Sequence, residues 1–429
     1  AIDMNTTELE TIFDELWPLN RSLSGEGNRQ SFAILNRYMP FTMREIPSGT
    51  TCFDWTIPPE WNVTEAWIKN DKGEKAIDFK DNNLHLLGYS IPIHETMSFE
   101  SLRNHLYTLP DFPDAIPYRT SYYARRWGFC LSQNQFDKLD KDARYEVFID
   151  SRLDEKGSMT VGEATLKGDS EQCVYLTSYI CHPSMANNEL SGPLLLLELY
   201  QRLKRKHLRY TYKFLLMPET IGSIWYLSEH YREMQQNTLA GIVLTCVGDR
   251  GNFSLKKSRI GDSDIDRIAS YYIQQKKGTL IDFFPSGGSD ERQYCSPGIN
   301  LPFCSITRTM YEQYKEYHTS KDDKSFISFD AILGSADLFE RIIDTLENNE
   351  TFVNFMPYCE VQLGKRGLYP TLSAVGNKSD ELKAMMWLLN YSDGKHTLFD
   401  IIQKSNIDLE SFLAARNRLL EHHIIERKS

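Results

Sequence analysis

Between Cys173 and Val247 the chain alternates almost uninterrupted apolar runs with stretches patterned as helices. The runs are Cys173 to Ser178, Tyr212 to Met217 and Gly241 to Val247; the segments Leu190 to Lys204 and Ser223 to Met234 lie between them. A strand that is apolar on both faces must be covered on both, and strands separated by helices pair in parallel. The pattern therefore predicts an α/β fold, a three-layer α/β/α sandwich with the sheet in the middle.

The flanking sequence has a different texture. Glu8 to Leu19 and Asn28 to Tyr38 carry apolar residues at helical spacing and predict an opening helical pair. From Ile46 to Asp150 the chain breaks into short alternating segments, such as Thr64 to Ile68 and Leu84 to Leu87, punctuated by Pro, Gly and Asn. That punctuation predicts a small β-rich insertion. Tyr145 to Asp150 and Gly157 to Ala164 read as a strand pair. Beyond Pro357, helices at Ser379 to Tyr391, Leu398 to Lys404 and Leu409 to His422, followed by Ile424-Ile425, match a winged helix-turn-helix. The expected domains are 1–46 with 151–357 for the sandwich, 47–150 for the insertion and 358–429 for the winged helix.

Composition narrows the function classes. Apolar runs such as Leu194 to Leu197 fall far short of a membrane span, and the first residues lack a basic-then-apolar leader, so a cytoplasmic protein is expected. The 8 cysteines form no close CxxC pair, and Cys173, Cys246 and Cys304 sit in apolar runs, which predicts buried free thiols. A net charge of −11 gives no general attraction to nucleic acid or an anionic membrane. The winged helix lacks a basic footprint as well, so the expected partner there is another protein or a second copy of the chain.

Chemistry concentrates where the strands end. His182 to Gly192, Pro218 to Ser223, Val247 to Arg250 and Glu316 to Asp323 each present polar residues at such a position. In an open α/β sheet these ends converge on one crevice, so distant residues can share one ion. Two histidines and several carboxylates there predict a metal site.

The order of these segments resembles that of the zinc aminopeptidase clan: His182, the Asn188-Glu189-Leu190-Ser191-Gly192 turn, Glu219 running into Gly222-Ser223, Asp249 after an apolar strand, then Tyr317-His318-Thr319. Arg21 to Gly27, Thr120 to Tyr123, Trp127 to Cys130 and Cys181 to Ser184 extend the likeness to aminopeptidase-like proteins of bacterial surface-polysaccharide clusters. The resemblance implies a zinc-exopeptidase-like sandwich with an inserted β domain and a winged helix. Three positions depart from the clan's di-zinc pattern: Ser184, Asn188 and Thr220 stand where acidic residues are usual. A neutral amide offsets poorly the repulsion of two cations about 3.5–4 Å apart. One Zn2+ per chain is therefore expected, held by His182, Glu189 and His318, with Asn188 and Asp249 as competing ligands and Glu219 as general base.

For substrate contacts, the resemblance places Asp290 and Arg292 beside the active site, and Arg308 suits a carboxylate or anionic sugar. Tyr122 and Trp127 belong to an aromatic strip interleaved with arginines that suits sugar rings, and equally suits the core of a small β module. The favoured function is a zinc-dependent hydrolase of an amide or peptide-like bond, on a small peptide-like or amino-sugar substrate in surface-polysaccharide biosynthesis. The alternative is a catalytically silent metal- or sugar-binding protein of the same fold.

Overall fold

The computed structural model describes residues 4–369 and 377–429. Two compact units emerge, 1–339 and 340–429. An eight-stranded sheet organises the first. In chain order its strands are β1 (Thr42–Pro47), β2 (Ser158–Leu166), β3 (Cys173–Tyr179), β4 (Thr211–Met217), β5 (Thr238–Leu244), β6 (Ser254–Lys256), β7 (Thr279–Ile281) and β8 (Phe303–Thr307). Across the sheet they run β1-β2-β4-β3-β5-β8-β6-β7.

β4, β3, β5 and β8 are mutually parallel, while β2 and β6 join antiparallel on either side. Successive strands fall on opposite sides of β3, making its carboxyl end a topological switch point, where α/β sheets open a crevice. All seven residues of β3 are buried, as the apolar run predicts.

Helices α1 (Thr6–Leu16), α2 (Glu26–Leu35), α3 (Ser191–Leu203) and α4 (Ile221–Asn237) cover the sheet. α3 is buried around nearly its whole circumference, which explains a helical segment as apolar as a strand. It approaches the sheet closely because Gly192 has no side chain. A Cβ there would lie 2.2 Å from Ser178 Oγ and 2.9 Å from the Leu244 carbonyl oxygen.

The insertion forms its own four-stranded antiparallel sheet, ordered Lys75–Asp78, Glu60–Lys69, Arg144–Asp154, Ile93–Ser98. The strand pair expected from Tyr145 to Ala164 does not form. Arg144–Asp154 is the centre of the inserted sheet, whereas β2 pairs with β1 and β4 of the main sheet. The turn at Gly157 thus joins two sheets. Local alternation could not reveal this, because both strands find longer partners far away in sequence. Leu84 to Leu87 is also not a strand: Asn83–His85 is a 3-10 turn, with only an isolated bridge at Leu86.

The second unit contains helices Asn377–Tyr391, Leu398–Ser405 and Leu409–Glu421 and a three-stranded sheet of Asp393–Thr397, Thr351–Asn354 and Ile425–Arg427. Its strand Thr351–Asn354 precedes the boundary expected at Pro357. Thr397 and Asp408 cap the last two helices through side-chain oxygens. The described cysteines are all free, and only Cys359 is exposed. Among the described residues no helix is long and apolar enough to cross a membrane.

Gly192→Ala forces the helix off the sheet, and overpacking of this kind costs about 1–3 kcal/mol. The expected result is a lower urea midpoint at an unchanged slope.

Candidate metal and catalytic site

The site begins where β3 runs out. After Tyr179 the chain turns through Cys181 and His182, passes Ser184 in the left-handed region (φ 49) and enters a π-helical turn, Ala186–Leu190, that leads into α3. Glu189 on that turn points back. Its Oε1 accepts the backbone N–H groups of Cys181 (2.5 Å) and His182 (2.6 Å), and its Oε2 accepts Arg21 Nε at 2.6 Å. Arg21 is fully buried and also donates to the carbonyls of His182 and Leu16. Glu189 thus lies on the Nδ1 side of His182, at 3.3 Å, while Nε2 lies 3.9 Å from Glu219. Glu189, expected as a ligand, is engaged on the side of His182 away from Glu219. Its carboxylate is engaged by Arg21 and two amides, and it shares the Nδ1 side of the imidazole with Cys181 Sγ, at 3.1 Å, so these two groups set the orientation of the ring.

Glu219 follows β4. The next residue, Thr220, adopts φ 68 and ψ −75, and Ile221 N–H closes back on the Glu219 carbonyl at 2.8 Å. That is a γ-turn with positive φ, a rare and strained conformation. Asp290 holds it, accepting from Thr220 N–H at 2.7 Å and Ser223 Oγ at 3.1 Å. Burial, reinforced by the Asp290 charge, pushes the Glu219 carboxyl well above its ordinary range. Burial also pushes Asp290 up to about 6, against its hydrogen bonds from Thr220 and Ser223. Arg292 opposes the rise at Glu219 electrostatically, while its Nε donates to the Ser289 carbonyl.

His318 comes from the loop after β8, with φ 55. The insertion anchors this loop through its backbone: Tyr118 N–H donates to the His318 carbonyl at 2.8 Å, Pro117 bridges Thr319, and Ser320 N–H donates to Ile116. Tyr317 stacks on the His318 ring at 3.9 Å. The Tyr118 ring lies 5.0 Å from that of His182 and 5.1 Å from that of His318, and its hydroxyl meets Tyr122 Oη at 2.9 Å. The two imidazoles are 5.6 Å apart. Burial, with a smaller contribution from His182, pushes His318 down to about 3.

The structure thus brings together His182, Glu219, His318, Asp290, Arg292 and Tyr122, with Asn188 at the edge, where its Oδ1 accepts from Tyr179 Oη at 2.8 Å. Three expected residues are engaged elsewhere. Asp249 accepts from the backbone and hydroxyl of Thr309, a turn-holding role. Arg308 spends its guanidinium on the carbonyls of Gly251 and Ala331 and on Ser335 Oγ, with Phe253 beneath it. Trp127 stacks on His105 at 3.7 Å inside the insertion's core, so its packing role prevails over sugar binding. Sequence reasoning gave no role to Arg21, Cys181 or Tyr118. Arg21 and Cys181 stand in two of the segments that carry the family resemblance and Tyr118 in the aromatic strip, but nothing local in the sequence assigns them a task.

Cys181, His182 and Glu219 offer ligand atoms all within 4.8 Å of one another, and His318 Nε2 is buried with no hydrogen-bond partner among the described residues. Imidazole nitrogen, thiolate sulfur and carboxylate oxygen are the donor types zinc accepts; burial pushes the Cys181 thiol well up, toward its neutral form, so Cys181 becomes a donor only on losing that proton.

This sandwich, with a crevice at the switch point lined by His182 and Glu219, is a zinc-aminopeptidase-like fold carrying a winged helix. The chain belongs to the family described as "Domain of unknown function (DUF4910)", whose model matches residues 10–349; a winged helix-turn-helix model matches 350–427. A Clostridium acetobutylicum relative, provisionally described as a polysaccharide biosynthesis protein with an aminopeptidase-like domain, is 43% identical over 98% of this chain and 96% of its own. A crystal structure of a protein from the same organism, provisionally described as a peptidase, superposes with a TM-score of 0.92 at 42% identity, covering 99% of this chain and 96% of that one. BSAP, a zinc aminopeptidase from Bacillus subtilis, shares the fold at a TM-score of 0.58 and 12% identity, covering 79% of this chain and 93% of its own.

Arg21→Met strands the buried Glu189 charge and is expected to cost about 3–5 kcal/mol in chemical denaturation, with Arg21→Met/Glu189→Gln recovering part of the loss, because the amide oxygen still accepts from Cys181 and His182 and no charge is stranded. His318 sets a pH dependence in chelator-treated protein. The folded ring stays neutral below the ordinary imidazole pKa of about 6.5, whereas the unfolded ring takes up a proton, so the fold loses stability as pH falls from about 6.5 toward 3. Measured against His318→Gln, the wild-type advantage should shrink by up to about 1.4 kcal/mol per pH unit between pH 6 and 5.

Proposed function

We propose that the chain is a zinc-dependent hydrolase that cleaves an amide bond in a peptide-like or amino-sugar substrate during polysaccharide biosynthesis. The observation carrying this reading is that His182, after one strand, lies 3.9 Å from Glu219, after a second, and 5.6 Å between ring centres from His318, on the loop after a third, with His318 Nε2 buried and without a hydrogen-bond partner among the described residues. His182 and His318 would hold the ion, with Cys181 Sγ as a further donor in reach. When bound, zinc polarises the scissile carbonyl and acidifies its water. One ion is favoured over two because Asn188 is a neutral amide whose oxygen already accepts from Tyr179.

Glu219 is the base. Its carboxylate takes the proton of the attacking water and returns it to the leaving amine. Burial and the Asp290 charge favour its protonated form, and a bound cation would favour the ionised form that a general base needs. Glu189 and Arg21 fix the His182 ring, and Tyr118 walls the site against water. Arg292 and Tyr122, at the rim, are the proposed substrate contacts.

Metal content is measured by mass spectrometry on protein purified without chelator or nickel resin. The expected result is about one zinc per chain, lost in His182→Ala and His318→Ala and kept in Glu219→Gln. Glu219→Gln should lower turnover about 10²–10⁴-fold on a panel of aminoacyl anilides and N-acyl amino sugars. Protein that takes up no zinc after reconstitution would overturn the proposal.

A further inference from the structure

A cavity of about 400 Å³ is lined by none of the residues given roles above. Phe53, Asp54, Trp55, Ile224, Tyr231 and Gln293 are among its lining residues. Its volume falls in the range of small-molecule sites, roughly 300–1,000 Å³. Two of its walls are continuous with the catalytic residues: α4, which supplies Ile224, Leu227 and Tyr231, starts two residues after Glu219, and Gln293 follows Arg292 on the loop that carries Asp290.

The third wall is a hairpin, Thr51–Cys52 paired with Trp55–Thr56. Its turn places Phe53 at φ 53, a conformation in which glycine or asparagine is ordinary and a bulky side chain is an outlier. Phe53 and Trp55 are 52% and 40% exposed, and neighbouring Tyr123 is 56% exposed. Phe53 meets Tyr231 edge to face at 5.8 Å, and Trp55 meets Tyr123 in the same way at 5.6 Å. Tyr123 is the chain neighbour of Tyr122, at the rim of the site. A hairpin that keeps aromatic rings half exposed around a cavity, one of them on a strained turn, is built to offer ring faces to a ligand.

The polar complement defines that ligand. Asp54, Gln293 and Ser296 line the cavity, and its described lining holds no lysine, arginine or histidine; the neighbouring Arg232 is turned to the Tyr231 hydroxyl, its Nε donating at 3.0 Å, and the Asp54 carboxylate opposes an anionic ligand. Ile224, Leu227 and Ile299 supply an aliphatic patch. Exposed ring faces, an aliphatic patch and hydroxyl-binding carboxylate and amide groups match a neutral N-acetylated pyranose. Its C–H face stacks on an aromatic ring, its methyl is buried on the aliphatic residues and its hydroxyls bond to Asp54 and Gln293.

We infer that this cavity is a subsite for an N-acetylhexosaminyl residue of the substrate. The inference rests on the proposed hydrolase reading for its place in a reaction, and on the cavity alone for binding. N,N′-diacetylchitobiose is titrated by calorimetry and saturation-transfer NMR into wild-type, Trp55→Ala, Trp55→Phe and Glu219→Gln proteins, with leucine amide as the competing probe. The expected result is binding by the wild type, at least 10-fold weaker in Trp55→Ala, largely kept in Trp55→Phe and unchanged in Glu219→Gln. No binding by the wild type, or equal binding by Trp55→Ala, overturns the inference. So does leucine amide showing the Trp55 dependence while the disaccharide does not, since the cavity then takes an apolar side chain. Sugar binding in a protein that hydrolyses nothing and takes up no zinc leaves the subsite standing and removes the hydrolase.

Discussion

The ion pair between Arg21 and Glu189, both fully buried, is what the rest of the site hangs on. Arg21 reaches from the end of α1 to Glu189 and to the carbonyl of His182, and Glu189 gathers the amides that follow β3. One carboxylate therefore fixes the strand exit, the π-helical turn and the imidazole together. A buried pair of this kind adds little net stability, since desolvation offsets much of its attraction. What it supplies is position: Glu189 ties the amides of Cys181 and His182 to Arg21, which also donates to the His182 carbonyl, so the backbone around His182 is restrained from both sides.

Strain is distributed in the same place. Ser184, Thr220, Cys246 and His318 all have positive φ, and each follows a strand of the parallel core. Residues of these types occupy that region only when their surroundings over-determine it. At Thr220 the surroundings are visible: Asp290 accepts both the amide of Thr220 and the Ser223 hydroxyl. Asp290 thereby supports the backbone of Glu219 and raises its pKa at once, which separates it from a simple substrate contact.

The sandwich, the insertion and the winged helix were legible because hydrophobic period is a local property. β3 and α3 announce themselves within their own residues. The destination of a strand is not local. Arg144–Asp154 and β2 are consecutive in the chain but belong to different sheets, and only distant partners decide that. Likewise at the site, His182, Glu219 and His318 were readable from their positions after strands, while the engagement of Glu189 depends on Arg21, 168 residues away. Arg308 and Asp249 misled for the same reason: a charged residue at a strand end is equally useful for satisfying carbonyls and amides of a turn.

The insertion is part of the site rather than an ornament on it. Open α/β sheets provide a floor at the carboxyl ends of their strands, and two of the three converging groups, His182 and Glu219, stand directly on that floor. His318 does not. Its loop leaves β8 several residues earlier, and the backbone bonds that hold it come from Ile116 to Tyr118 of the insertion. The Tyr118 ring then fills the space beside both imidazoles. A module that only widened substrate range would be separable from the donor set. Here the same segment that walls the crevice also sets where His318 Nε2 lies, so substrate access and donor geometry are coupled through one short stretch of backbone.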